Sequence, residues 1–183
     1  MAARSHGVVT RRQLLAAGIS ADEIKHRVGN GVLLRVHRGV YRVGHRAPSL
    51  EARYLGAVLA CGEGAALSGR AAAYLWGLVR GPAPDPEVTA HGGRRVKGVT
   101  TRRRRRIEPS ERTVWRAIPV TTPARTLVDL AAAVDETELA RACHEAAVRH
   151  HTTPKQVEAV LARRPNGARR GASCAARCVA TFL

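Results

Sequence analysis

The sequence predicts an α+β fold, and three observations carry that prediction. Two helix-start signals fall within a dozen residues of each other near the amino terminus and are followed by hairpin punctuation. Short β-branched runs separated by Gly, Pro and Arg clusters occupy the stretch between residues 87 and 120. From Thr122 onward the spacing of apolar residues returns to helical. The expected organisation is a first domain over 1–46, a mixed α/β domain with a helical carboxyl-terminal part over 47–165, and a disordered tail over 166–183.

Taken in order, Thr10 with Gln13 and Ser20 with Glu23 have capping-box spacing, in which a hydroxyl accepts from the first turn and a later side chain reaches back. Gly18 and Gly29 are expected to close the two helices. Leu14, Leu15, Ile24 and Val28 are left to form a small shared core. Asn30-Gly31 then turns the chain into Val32 to His37, Arg38-Gly39 makes a tip, and Val40 to Val43 returns. Helix, turn, helix and ribbon together read as a winged helix-turn-helix; the stretch from Arg4 to Val9 fits either a flexible arm or a first strand beside the wing.

Gly44 to Pro48 reads as a linker, after which Ser49 caps a helix ended by Gly62-Glu63-Gly64. Ser68 is expected to cap a second helix, to Leu78, with Ala72, Leu75 and Trp76 on its packing side. Glu87 to His91 and Val99 to Arg103 are predicted strands, and Thr113 to Val120 is a third, confined to an edge or an end by Pro119. Thr122-Pro123 starts a helix lined by Leu127, Leu130 and Ala131. Asp135 with Glu138 begins another, and Thr153-Pro154 begins one over Lys155 to Arg163.

Charge narrows the choice of partner. The 183 residues carry 31 Lys and Arg against 14 acids, a net +17, which favours nucleic acid or an anionic membrane surface. The excess is concentrated early: residues 1–46 hold 9 basic and 2 acidic side chains, 47–123 hold 13 and 6, and the remainder 9 and 6. No apolar run approaches a membrane span and no signal-type segment follows Met1, so a cytoplasmic location is expected. The four cysteines contain no CxxC pair, so neither a disulfide framework nor a zinc site is indicated, and no cofactor or metal is expected. Cys61 and Cys143 fall in helical patterns as small core residues. Six aromatic residues are too few for a single-strand binder that stacks bases on exposed rings.

The helix from Ala21 to Val28 is the expected recognition helix, with Ala21, Ile24 and Val28 inward, Asp22, Glu23 and His26 outward, and Lys25 and Arg27 on the flanks. Its outward face is only half basic, although an acid such as Asp22 can accept from cytosine N4. Arg11 and Arg12 on the first helix and Arg35, Arg38 and Arg42 on the wing add phosphate-directed charge, with Arg38 the minor-groove candidate. The run Arg102, Arg103, Arg104, Arg105 and Arg106 belongs at an exposed edge or loop, as a solvated stretch or a grip on backbone phosphates. Catalytic patterns fare worse. Glu23-Ile24-Lys25 has the acid-x-Lys spacing of metal-dependent nucleases but lies in a capped helix with no upstream strand acid. Asp129, Glu138, His144 and Glu145 have spacings explained by caps and exposed faces, and no HExxH, GxSxG or P-loop spacing occurs, so the chain does not read as an enzyme.

Three segments carry a family likeness: HGVVTRRQLLAAGIS with RVHRGVYRVG at the amino terminus, ALSGRAAAYLWGL from Ala66 to Leu78, and IPVTTPARTLVDLA from Ile118 to Ala131. In this ordered series the chain resembles the AbiEi-type antitoxin and transcriptional-regulator family of type IV toxin–antitoxin systems. The resemblance implies a winged-helix DNA-binding domain followed by a mixed α/β domain. It also implies operator binding that represses the protein's own operon and neutralisation of a nucleotidyltransferase toxin encoded beside it. Longer relatives continue into an endonuclease-like domain that lies outside these residues. That leaves an alternative reading, the regulatory or targeting part of a nuclease-like protein. The resemblance also departs at Asp22-Glu23, where relatives are often more basic.

Overall fold

A computed structural model describes residues 5–44, 49–91, 95–103 and 107–163. The expected disordered tail and Arg104, Arg105 and Arg106 lie outside the described residues. The chain divides into two compact units, one built from residues up to 67, 88–107 and 114–119, the other from 68–87, 108–113 and 120 onward.

The first unit begins with a strand, β1 (Val8–Thr10), which runs directly into α1 (Arg11–Ala16) and α2 (Ala21–Gly29). Thr10 makes both halves of its capping box with Gln13, and the Ser20 hydroxyl accepts from the Glu23 amide. α2 runs one residue further than expected: Gly29 is its last helical residue, and the left-handed turn falls to Gly31 (φ 73°). The ribbon follows as β2 (Leu33–His37) and β3 (Val40–Val43).

These strands form an antiparallel sheet in the order β1-β3-β2, with β3 in the middle. Alternation along β3 then assigns its side chains. Tyr41 faces the helix pair, where Val9, Leu14, Ile24, Leu33 and Tyr41 form the core and Ile19 and Val28 pack against it. Val40 and Arg42 face the opposite side, which α3 (Leu50–Cys61) covers by contacting all three strands. Ser49 caps α3 through the Ala52 amide, and Tyr54, Ala57 and Val58 are buried along it.

A second sheet has the strand order β6-β5-β4-β8-β7, built from β4 (Ala66–Leu67), β5 (Glu87–Ala90), β6 (Thr100–Arg103), β7 (Arg112–Trp115) and β8 (Ile118–Thr121). The stretch expected to be one strand from Thr113 to Val120 is two strands joined by Arg116-Ala117. Both joining residues have positive φ, 47° and 60°, the backbone of a two-residue hairpin turn that Asn-Gly ordinarily supplies. Two contacts hold the turn: the His6 imidazole Nε2 donates to the Arg116 carbonyl at 2.7 Å, and the Arg116 guanidinium meets Glu51 at 3.2 Å. A left-handed L-residue costs about 1–2 kcal/mol, which exceeds the roughly 0.5–1 kcal/mol of extra chain entropy that glycine loses. Ala117→Gly is therefore expected to stabilise the protein by about 0.5–1 kcal/mol, a rise of roughly 2–3 °C in melting temperature by calorimetry.

The second unit is helical: α4 (Gly69–Trp76), α5 (Pro123–Leu130), α6 (Glu136–His150) and α7 (Pro154–Ala162), with α5 contacting the other three. Cys143 is buried in α6, and Cys61 is buried in the first unit. Ser68 precedes α4 but makes no side-chain cap; the Glu87 carboxylate accepts from the Arg70 amide instead, at 3.2 Å. Gly69 makes this possible, because at its φ of 56° a Cβ would sit 2.2 Å from a Glu87 carboxylate oxygen. Arg125 is a deeply buried ionic group, 2% exposed. Its guanidinium pairs with Glu111 and its Nε lies 3.0 Å from both Asp129 oxygens. Among the described residues no helix is long and apolar enough to cross a membrane.

Candidate nucleic-acid interface

The helix-turn-helix and the wing bring a subset of the expected residues to one accessible surface. On α2, Ile24 is buried at 3% exposure and Val28 is partly covered, whereas Asp22, Lys25 and His26 are exposed. Ala21 is also exposed rather than inward, because at the first helical position it lies beyond the edge of the core. Glu23 holds Arg27 at 2.6 Å across one helical turn, so Arg27 offers little net charge to a partner. His26 Nε2 lies 2.9 Å from the Asn30 amide nitrogen, which fixes its ring near the end of the helix.

The wing is more strongly cationic. Arg35 lies opposite Tyr41 in the register and shares Leu33's face of the sheet, so its exposed guanidinium stands on the same side as α2. Arg38 is exposed at the tip, which is tied to α1 by the Arg11 amide donating to the Gly39 carbonyl at 2.8 Å. Arg11 itself is exposed; Arg12 reaches Glu63 at 3.4 Å, and both of these side chains are more than four-fifths exposed, so the pair stabilises little.

Arg42 corrects the sequence reading. It is 8% exposed, because β1 makes β3 a central strand and α3 covers the face to which Arg42 points. A groove-contacting role does not fit a side chain buried there. Arg102 and Arg103 are exposed on the edge strand β6.

Arg95 and Lys97 lie between the predicted strands Glu87 to His91 and Val99 to Arg103 and were not among the expected site residues. In the fold they line a groove of about 420 Å³ with Arg38, Val36, His37 and Val96. A bulge in β2 between Arg35 and His37 sets the register there, and burial pushes the His37 imidazole below its ordinary pKa, favouring the neutral ring. No local sequence signal marks this grouping, since it depends on a contact between segments about 60 residues apart.

The amino-terminal architecture is that of a winged helix-turn-helix, with a three-stranded sheet, two capped helices and a basic ribbon. In keeping with it, residues 1–44 match the family model described as transcriptional regulator, AbiEi antitoxin. That match supports a transcriptional-regulator or antitoxin role. A search of curated proteins found no match to the chain.

Proposed function

We propose that the chain is a DNA-binding transcriptional repressor that serves as the antitoxin of a type IV toxin–antitoxin system. It would bind its own operator and neutralise a neighbouring nucleotidyltransferase toxin in the cytoplasm. The observation that carries the reading is the exposed Arg35 and Arg38 pair on a ribbon beside α2, within the segment that matches the AbiEi regulator family. In this reading α2 enters the major groove with Asp22, Lys25 and His26 at base edges. Arg11, Arg35 and Arg38 grip the backbone or the adjacent minor groove. Arg102 and Arg103 add charge without sequence information.

Three phosphate contacts, from Arg11, Arg35 and Arg38, imply that log affinity falls against log salt with a slope of about −2.7. Fluorescence anisotropy with a labelled duplex from the gene's own upstream region measures that slope. A salt-insensitive complex, or a structured RNA that displaces the duplex, would overturn the assignment. Co-expression with the adjacent nucleotidyltransferase tests the antitoxin half, with rescued growth as the expected result.

A further inference from the structure

The groove beneath the wing tip has the chemistry of a binding site in its own right. Arg38, Arg95 and Lys97 all line it and are exposed, and among the described residues none of the three is paired with a carboxylate. Three permanent cations gathered around one cavity repel one another, a cost that an anion placed among them would reverse. Among the described residues no acidic side chain lines the groove to do so.

The rest of the wall is apolar or neutral. The β2 bulge brings Val36 and His37 into the groove, and Gly56 of α3 packs within reach of both. From the other side a tight turn, closed by the Val99 amide donating to the Val96 carbonyl at 3.1 Å with Gly98 at φ 74°, presents Val96 and Lys97. A volume of about 420 Å³ lies within the range of small-molecule sites, typically about 300–1,000 Å³. A bare phosphate would leave Val36 and Val96 uncovered, and a convex duplex backbone would insert only its phosphate edge.

We propose that this groove binds a small phosphomonoester of nucleotide size, its phosphate held by Arg38, Arg95 and Lys97 and its organic part lying on Val36 and Val96. Guanidinium forks match phosphate oxygens in pairs, and the ammonium of Lys97 adds a point charge. The neutral His37 ring supplies one donor and one acceptor nitrogen at the wall.

Isothermal titration calorimetry of the full chain with adenosine 5′-monophosphate tests this, with no DNA present, so its outcome is separate from that of the repressor reading. Saturable one-site binding is expected, weakened by about tenfold or more in R95S/K97S. It should be unchanged in R112S/K155S, which removes the same charge from exposed positions elsewhere. Adenosine without its phosphate is expected not to bind. The proposal is overturned if the monophosphate gives no saturable heat at millimolar concentration, if the two double variants lose affinity equally, or if adenosine binds as tightly. It is equally overturned if R95S/K97S weakens only operator duplex, because the cations would then be serving a backbone phosphate.

Discussion

Alanine at both Arg35 and Arg38 is expected to weaken operator binding by roughly 100-fold at moderate salt. The estimate takes each exposed guanidinium as making one charge-assisted contact worth about 1.5 kcal/mol. Losing two such contacts also makes the salt dependence shallower by about 1.8. The informative control is Arg42→Met. Its side chain is 8% exposed behind the wing, so binding by the folded protein is expected to survive that change even if stability falls. Anisotropy titrations at three salt concentrations, with circular dichroism to confirm folding, separate the two effects. Parent-like affinity in R35A/R38A would remove the wing from the interface altogether.

The second large effect concerns the buried ion cluster of the helical unit. Arg125→Met leaves Glu111 and Asp129 as buried carboxylates without their cation, and breaking such a group is expected to cost about 3–5 kcal/mol. Replacing all three by apolar residues (R125M/E111L/D129L) is expected to recover most of that loss, because no uncompensated charge then remains. Urea unfolding followed by tryptophan fluorescence measures both variants. A W115F background leaves Trp76 as the sole tryptophan, and Trp76 belongs to the same unit as the cluster, donating from Nε1 to the Thr121 carbonyl at 2.9 Å. If R125M unfolds at the parent's midpoint, the cluster contributes no specific stability.

What the sequence made readable was local. Thr10, Ser20, Ser49, Thr122, Asp135 and Thr153 each accept from the amide three residues on, because a cap needs only its own first turn. The wing tip at Arg38-Gly39 was equally plain. The hairpin at Arg116-Ala117 was not, since it lacks Asn and Gly and is held by distant residues, His6 and Glu51.

Site residues divide the same way. Exposure of Arg38 follows from its place at the tip, whereas Arg35 shares a face with the buried Leu33, and the burial of Arg42 depends on which strands flank β3 and on what lies behind them; neither outcome is set by alternation alone. No local signal marks Arg125 as interior; the return of the chain at Glu111 adds a distant buried partner to the Asp129 one turn along its own helix. The groove formed by Arg38, Arg95 and Lys97 needs the tertiary fold for the same reason.

The helix α3 behind the ribbon sheet has a practical consequence for anyone cutting the gene. A fragment stopped at residue 46 would strip the backing from Val8 and Val40, which are 1% and 2% exposed in the intact chain, and hand two bare aliphatic side chains to solvent. Such a piece would be sticky as well as frail. A minimal reading head should retain the helix through Cys61.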